Sequence, residues 1–198
     1  MTAVKTDPGP YTWDDFIALD EDDLRELIDG ELVEVEVPKR RHERIVVLIA
    51  AALHRWTETH GGGEVLASGY KVRITQKRGV MPDVQFFRRG HEPAPEHEDG
   101  LAAGHPDLVI EVVSPSSRRY DRVTKARWYA AIGVPEYWIV DPEARTVERL
   151  VLEGGAGERW AIATTAADVE PFEPPSFEGL RIELRDLWGS DLETAPSP

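Results

Sequence analysis

The clearest periodicity in the chain lies in IVVLIAAALHRWTETH, residues 45–60, where Ile45, Leu48, Ile49, Ala52, Leu53 and Trp56 recur at three- and four-residue intervals. Such spacing lines one face of a helix, and Gly61-Gly62-Gly63 closes it. A second helix is predicted from the Pro-Ser-Ser of 115–117 to about Ile132, ended by Gly133. Near the start, Thr12 is followed three residues later by Asp15, which suits a short capped helix.

Between these helices the period falls to two. ELI and ELVEVEV flank Asp29-Gly30, a strong hairpin signal, and the glutamates of the second run leave one face wet. EVLASGYKVRIT and VMPDVQFF read as strands around the basic turn QKRG. Residues 88–105, rich in Pro, Gly, His and acids, read as an excursion or mobile loop. PDLVIEVVSP and VPEYWIVDPE are apolar enough to be buried strands. TVERLVLE and RWAIAT flank a glycine-rich turn and predict a second hairpin. The central order of helix, three strands, helix and strand predicts an α/β (α+β) fold. It has a mixed central sheet flanked by helices, with β-hairpin additions at the N- and C-terminal ends. Residues 11–189 are expected to form one domain, with disordered ends at 1–10 and 190–198.

Composition narrows the class. The chain has 198 residues, 41% hydrophobic and 30% charged, which is globular rather than disordered. Its longest apolar run, Ile45 to Leu53, is too short for a membrane span of roughly 20 residues. MTAVKTDPGP lacks the basic-then-apolar pattern of a signal peptide, so a soluble cytoplasmic protein without a membrane partner is expected. With no cysteine, thiolate metal sites and cysteine nucleophiles are excluded. The formal charge of −14 argues against a nucleic-acid partner until it is divided along the chain. Twelve acids face two bases in residues 1–37 and thirteen face five in 141–198, whereas 38–140 holds sixteen bases and twelve acids. A basic centre lies between acidic flanks.

The chemistry-bearing residues fall in that centre. With period two, Leu108, Ile110 and Val112 share one face, and Asp107, Val109, Glu111 and Val113 the other. Glu111 among valines should therefore be paired with an arginine of the next helix, protonated or bound to a cation. Asp83 opens a hydrophobic strand; on a neighbouring strand, it and Glu111 could reach one hard cation. Asp107 is an outer candidate, roughly 13 Å along the strand from Glu111. In RRYDRVTKARWYAAIG, Lys125 shares a helix face with Trp128, Tyr129 and Ile132. It either pairs with Asp121, lies over the aromatics with its ammonium in water, or approaches Glu111, where it could stabilise a pentacovalent phosphate or orient a hydroxide.

PDV at 82–84, PDLVIEVVSPSSRRYDRVTKARWY at 106–129 and GVPEYWIVDPE at 133–143 resemble the Uma-type restriction-endonuclease-like family, as do ELIDGELVEV at 26–35 and RHERIV at 41–46. The resemblance runs from about Tyr11 to about Leu187. It implies the PD-(D/E)XK nuclease fold and a metal-dependent endonuclease acting on DNA, with Asp83 and Glu111 as catalytic residues binding Mg²⁺ or Mn²⁺. The position of the usual lysine is Val113, a departure from the simple motif, and Lys125 is the candidate to replace it from the following helix. Glu31, with Glu43 behind it, is the candidate for an additional acid, and His42 matches a family position. Arg40, Arg41, Arg118, Arg119 and Arg122 are expected to hold DNA phosphates. A duplex cutter often uses two sites related by symmetry, so a homodimer is compatible with this reading. The alternatives are a catalytically weak relative that binds nucleic acid, and an interaction module whose acidic flanks meet a basic partner.

Overall fold

The computed structural model describes residues 6–20, 22–157 and 159–189. In chain order the elements are β1 (Thr6–Asp7), α1 (Trp13–Ile17), β2 (Arg25–Ile28), β3 (Glu31–Glu34), α2 (Arg40–Thr59), β4 (Gly63–Ala67), β5 (Lys71–Thr75), β6 (Arg78–Val80), β7 (Val84–Arg88), β8 (Gly100–Leu101) and β9 (Leu108–Val112). A π-helical segment, Tyr120–Lys125, then runs into α3 (Ala126–Ile132), followed by β10 (Glu136–Asp141), β11 (Thr146–Glu153), β12 (Arg159–Ala167), β13 (Pro171–Phe172), β14 (Ile182–Glu183) and α4 (Leu184–Trp188).

The main sheet has the order β12-β11-β10-β9-β7-β4, with β9 and β10 parallel and the other neighbours antiparallel. One face buries Leu108, Ile110, Val112 and Trp138 against Ile45, Val46, Ile49 and Leu53 of α2 and against the C-terminal elements. The opposite face buries Val109, Val113, Tyr137 and Ile139 with Ala126, Trp128 and Tyr129. The predicted alternation of β9 is therefore realised, and it places Glu111 on the α3 side.

The expected N-terminal hairpin is added to the core as part of a second six-stranded sheet, β1-β3-β2-β6-β5-β8. Asp29 and Gly30 have φ of 54° and 88°, the left-handed pair a tight two-residue hairpin turn requires. The capping box of Thr12 and Asp15 forms as expected. Two segments that read as single strands each divide between the sheets. EVLASGYKVRIT leaves the main sheet at Ser68-Gly69, both at positive φ, and VMPDVQFF enters it after Met81-Pro82. Proline has no N–H for a ladder, so the crossover falls there. Asp83 is the first residue past it.

The expected disordered start is partly ordered: Thr6 and Asp7 pair with Val33 and Leu32. Residues 1–5 and the tail at 190–198 lie outside the described residues. Within 88–105, a 3₁₀ turn at Pro95–His97 leads to β8, which pairs parallel with β5. Among the described residues no helix is long and apolar enough to cross a membrane.

Candidate active site

Asp83 and Glu111 come together because β7 and β9 are neighbours whose last paired residues are Val84 and Ile110. Continuing that register sets Asp83 opposite Glu111. Past the end of the ladder, the Val112 N–H donates to Asp83 Oδ2 at 2.7 Å. The same oxygen lies 3.2 Å from His42 Nε2, on the first turn of α2. Burial disfavours the imidazolium, but the hydrogen bond and charge of Asp83, with Glu43, outweigh it and raise the His42 pKa.

Glu111 is buried, and its Oε1 accepts from Lys125 Nζ at 3.0 Å and from the Tyr129 hydroxyl at 2.5 Å. Lys125 Nζ also lies 3.0 Å from Glu26 Oε1 and 3.8 Å from Asp121 Oδ1. Of the three placements open to Lys125, the ion pair with Glu111 is formed, with Asp121 at longer range. Val113, at the usual lysine position, packs in the apolar cluster on Glu111's side of the sheet. The ammonium is delivered instead from the π-helical segment facing it. A π turn rotates the residues after it relative to a regular helix, and such turns recur at functional sites.

Three buried carboxylates thus surround one ammonium. Burial drives Glu111 well above the ordinary carboxylate range; Lys125 opposes the rise, and Asp83 and Asp121 add to it. Asp121 is likewise raised by burial against the pull of Lys125. For Lys125, burial favours the neutral amine, but Glu111 and Glu26 outweigh it and hold the ammonium well above the ordinary lysine range.

The other candidates are placed differently. Asp107, at the far end of β9, accepts from the Arg88 N–H at 2.7 Å and lies 3.0 Å from His91 Nδ1. Its carboxylate anchors the end of β7. Glu31 is exposed at the start of β3, and Glu43 is exposed beside His42. The hairpin acid that reaches the cluster is Glu26, which the sequence reading missed. Its signal lay in the alternation of RELI: Glu26 shares a face with Ile28, which packs against the α3 side, while Leu27 packs with Trp13 and Phe16. Arg118 donates to Asp141 at 3.0 Å and to Glu143 at 2.8 Å, and Arg122 pairs with Glu148. Arg40 and Arg119 are exposed and Arg41 is half-buried.

The acidic donors are all oxygens, which suits a hard divalent cation. Among the described residues, no group of three His, Cys, Asp or Glu side chains is arranged to hold a metal ion. Mg²⁺ is commonly held by only one or two carboxylates, completed by water and phosphate oxygens, a smaller requirement than a cluster of three side chains. Buried in the same cluster, Glu26 Oε2 has no hydrogen-bond partner.

A mixed sheet with acids at the ends of adjacent strands and a lysine from the crossover helix defines a nuclease-type α/β fold. The chain belongs to the Uma2 family, described as "Putative restriction endonuclease", which matches residues 13–185. It is also similar to a crystal structure described as a putative nuclease of DUF820 from Anabaena variabilis. That likeness has 19% identity and a TM-score of 0.72, covering 90% of this chain and 98% of the other. No curated protein gives a significant match.

Proposed function

We propose that the protein is a metal-dependent endonuclease hydrolysing DNA phosphodiester bonds at the Asp83–Glu111–Lys125 cluster. The observation that carries this reading is the pairing of acids on neighbouring strands with a buried ammonium 3.0 Å from one of them. A Mg²⁺ or Mn²⁺ ion held by Asp83 and Glu111 would supply Lewis-acid chemistry, lowering the pKa of a bound water. Asp83 is held by the Val112 N–H, so its carboxylate keeps a fixed direction. Lys125 places positive charge where a phosphate gains negative charge on attack. Arg40, Arg41 and Arg119 are assigned to the phosphate backbone. Arg118 and Arg122 contribute only by leaving their present carboxylate partners.

The test is nicking of supercoiled plasmid with Mg²⁺ or Mn²⁺. Asp83→Ala and Glu111→Ala should each lower the rate by about a hundred-fold or more. Activity surviving both substitutions would overturn the assignment. Val113 at the usual lysine position favours a second reading, a catalytically silent DNA-binding module. Retention of DNA without cleavage in either metal would select it.

A further inference from the structure

We infer that Glu26 is a positioning residue, whose single oxygen Oε1 fixes both the Lys125 ammonium and the turn that delivers Asp83. Glu26 Oε1 lies 3.0 Å from Lys125 Nζ and accepts from the Met81 N–H at 3.2 Å, two residues before Asp83. Glu26 sits in β2 of the second sheet, whereas Glu111 belongs to β9 of the main sheet and Asp83 directly precedes its strand β7. The contact therefore joins the two sheets at the point where the chain crosses between them. Glu26 is 1% exposed, so neither partner is exchanged for bulk water at small cost.

The geometry gives Glu26 a task distinct from that of Glu111. Lys125 is a flexible four-carbon arm, and one carboxylate partner leaves its head free to swing about that contact. A second carboxylate at equal distance on another element removes that freedom. When Glu111 is engaged elsewhere, Glu26 still holds the ammonium. The Met81 contact sets the height of the Pro82-Asp83 segment relative to the same oxygen, so lysine and aspartate are registered to one atom.

The mechanistic half of this inference rests on the nuclease reading, but the positioning half does not, and the experiment separates them. In ¹⁵N-labelled protein without metal, the Lys125 ammonium should give a slowly exchanging side-chain signal, assigned by its loss in Lys125→Met. Glu26→Gln keeps an acceptor for the Met81 N–H and removes the negative charge that Glu26 places beside Lys125. The signal should then broaden or vanish while the backbone spectrum stays folded. In nicking assays kcat should fall by about a hundred-fold, the scale of a displaced catalytic group, with KM little changed. Glu26→Asp, which restores the charge on a shorter arm, should recover part of both readouts. If Glu26→Gln does not fold, the Glu26 carboxyl ¹³C shift in Lys125→Met serves instead: a change supports the contact, and no change overturns it. An unaltered Lys125 signal in folded Glu26→Gln also overturns the inference. An altered signal in a protein that never nicks DNA upholds the positioning role and sinks the nuclease reading alone.

Discussion

Replacing Lys125 with methionine removes the one ammonium seen among Glu26, Glu111 and Asp121 while filling nearly the same volume. The two 3.0 Å contacts are each worth about 5 kcal/mol in gross Coulomb energy at an effective dielectric of about 20. Most of that sum is offset by the cost of burying the ammonium, which methionine does not incur. What remains is the penalty of buried carboxylates left without a cation, about 3–5 kcal/mol for breaking a buried pair. For a domain of this size each kcal/mol lowers Tm by roughly 2–4 °C, so the expected loss is about 6–20 °C. The assay is thermal unfolding by circular dichroism with a chelator present, which removes any metal from the comparison. Adding Glu111→Gln to Lys125→Met should recover part of the loss, because a neutral amide does not require the missing charge. A Tm within about 2 °C of wild type, less than the shift expected from 1 kcal/mol, would show that Lys125 does not neutralise these acids in solution.

Asp141 offers a test of electrostatics away from the cluster. Burial works to raise its pKa, but the Ala144 N–H and the Arg118 guanidinium outweigh it, so the carboxyl sits below its ordinary range. A lowered folded-state pKa means stability present in full above the ordinary carboxylate range and lost as pH falls through the folded value. Asp141→Asn should therefore cost about 1.5–3 kcal/mol at neutral pH, with the difference shrinking in acid; a gap independent of pH in urea melts would refute the assignment. At Gly63, with φ of 129°, a Cβ would lie 2.7 Å from the Phe87 carbonyl oxygen and 2.8 Å from the Phe86 ring. Gly63→Ala should cost about 1–3 kcal/mol for the clash beyond its backbone strain. Gly61→Ala, also at positive φ but with nothing within 4 Å, should cost only the strain, and equal losses in the two variants would refute the packing argument.

Much of the fold was legible because its signals are local. The helix at 40–59, the Asp29-Gly30 hairpin, the capped turn at Thr12 and the two faces of β9 follow from side-chain period and turn chemistry within a few residues. The placement of Lys125 towards the sheet was open to the same reasoning, since Trp128 and Tyr129 share its helix face and are buried. The division of 64–75 and 80–87 between two sheets was not. Ser68-Gly69 and Met81-Pro82 mark bends, but nothing local says that a strand will resume in another sheet.

The site divides along the same line. By itself the sequence determined that a carboxylate at 111 lies among apolar neighbours and that the basic residues concentrate in the centre, because alternation and charge are properties of the string. Only the tertiary structure decided that Asp83 stands opposite Glu111, that Lys125 reaches it in place of Val113, and that Glu26 rather than Glu31 meets the ammonium. Those pairings join residues 14 to 99 positions apart through strand register and the contact of two sheets. Register is set by the burial of whole faces at once. No single segment carries that register, so the partner of the acid in the second sheet was fixed only when the two sheets packed.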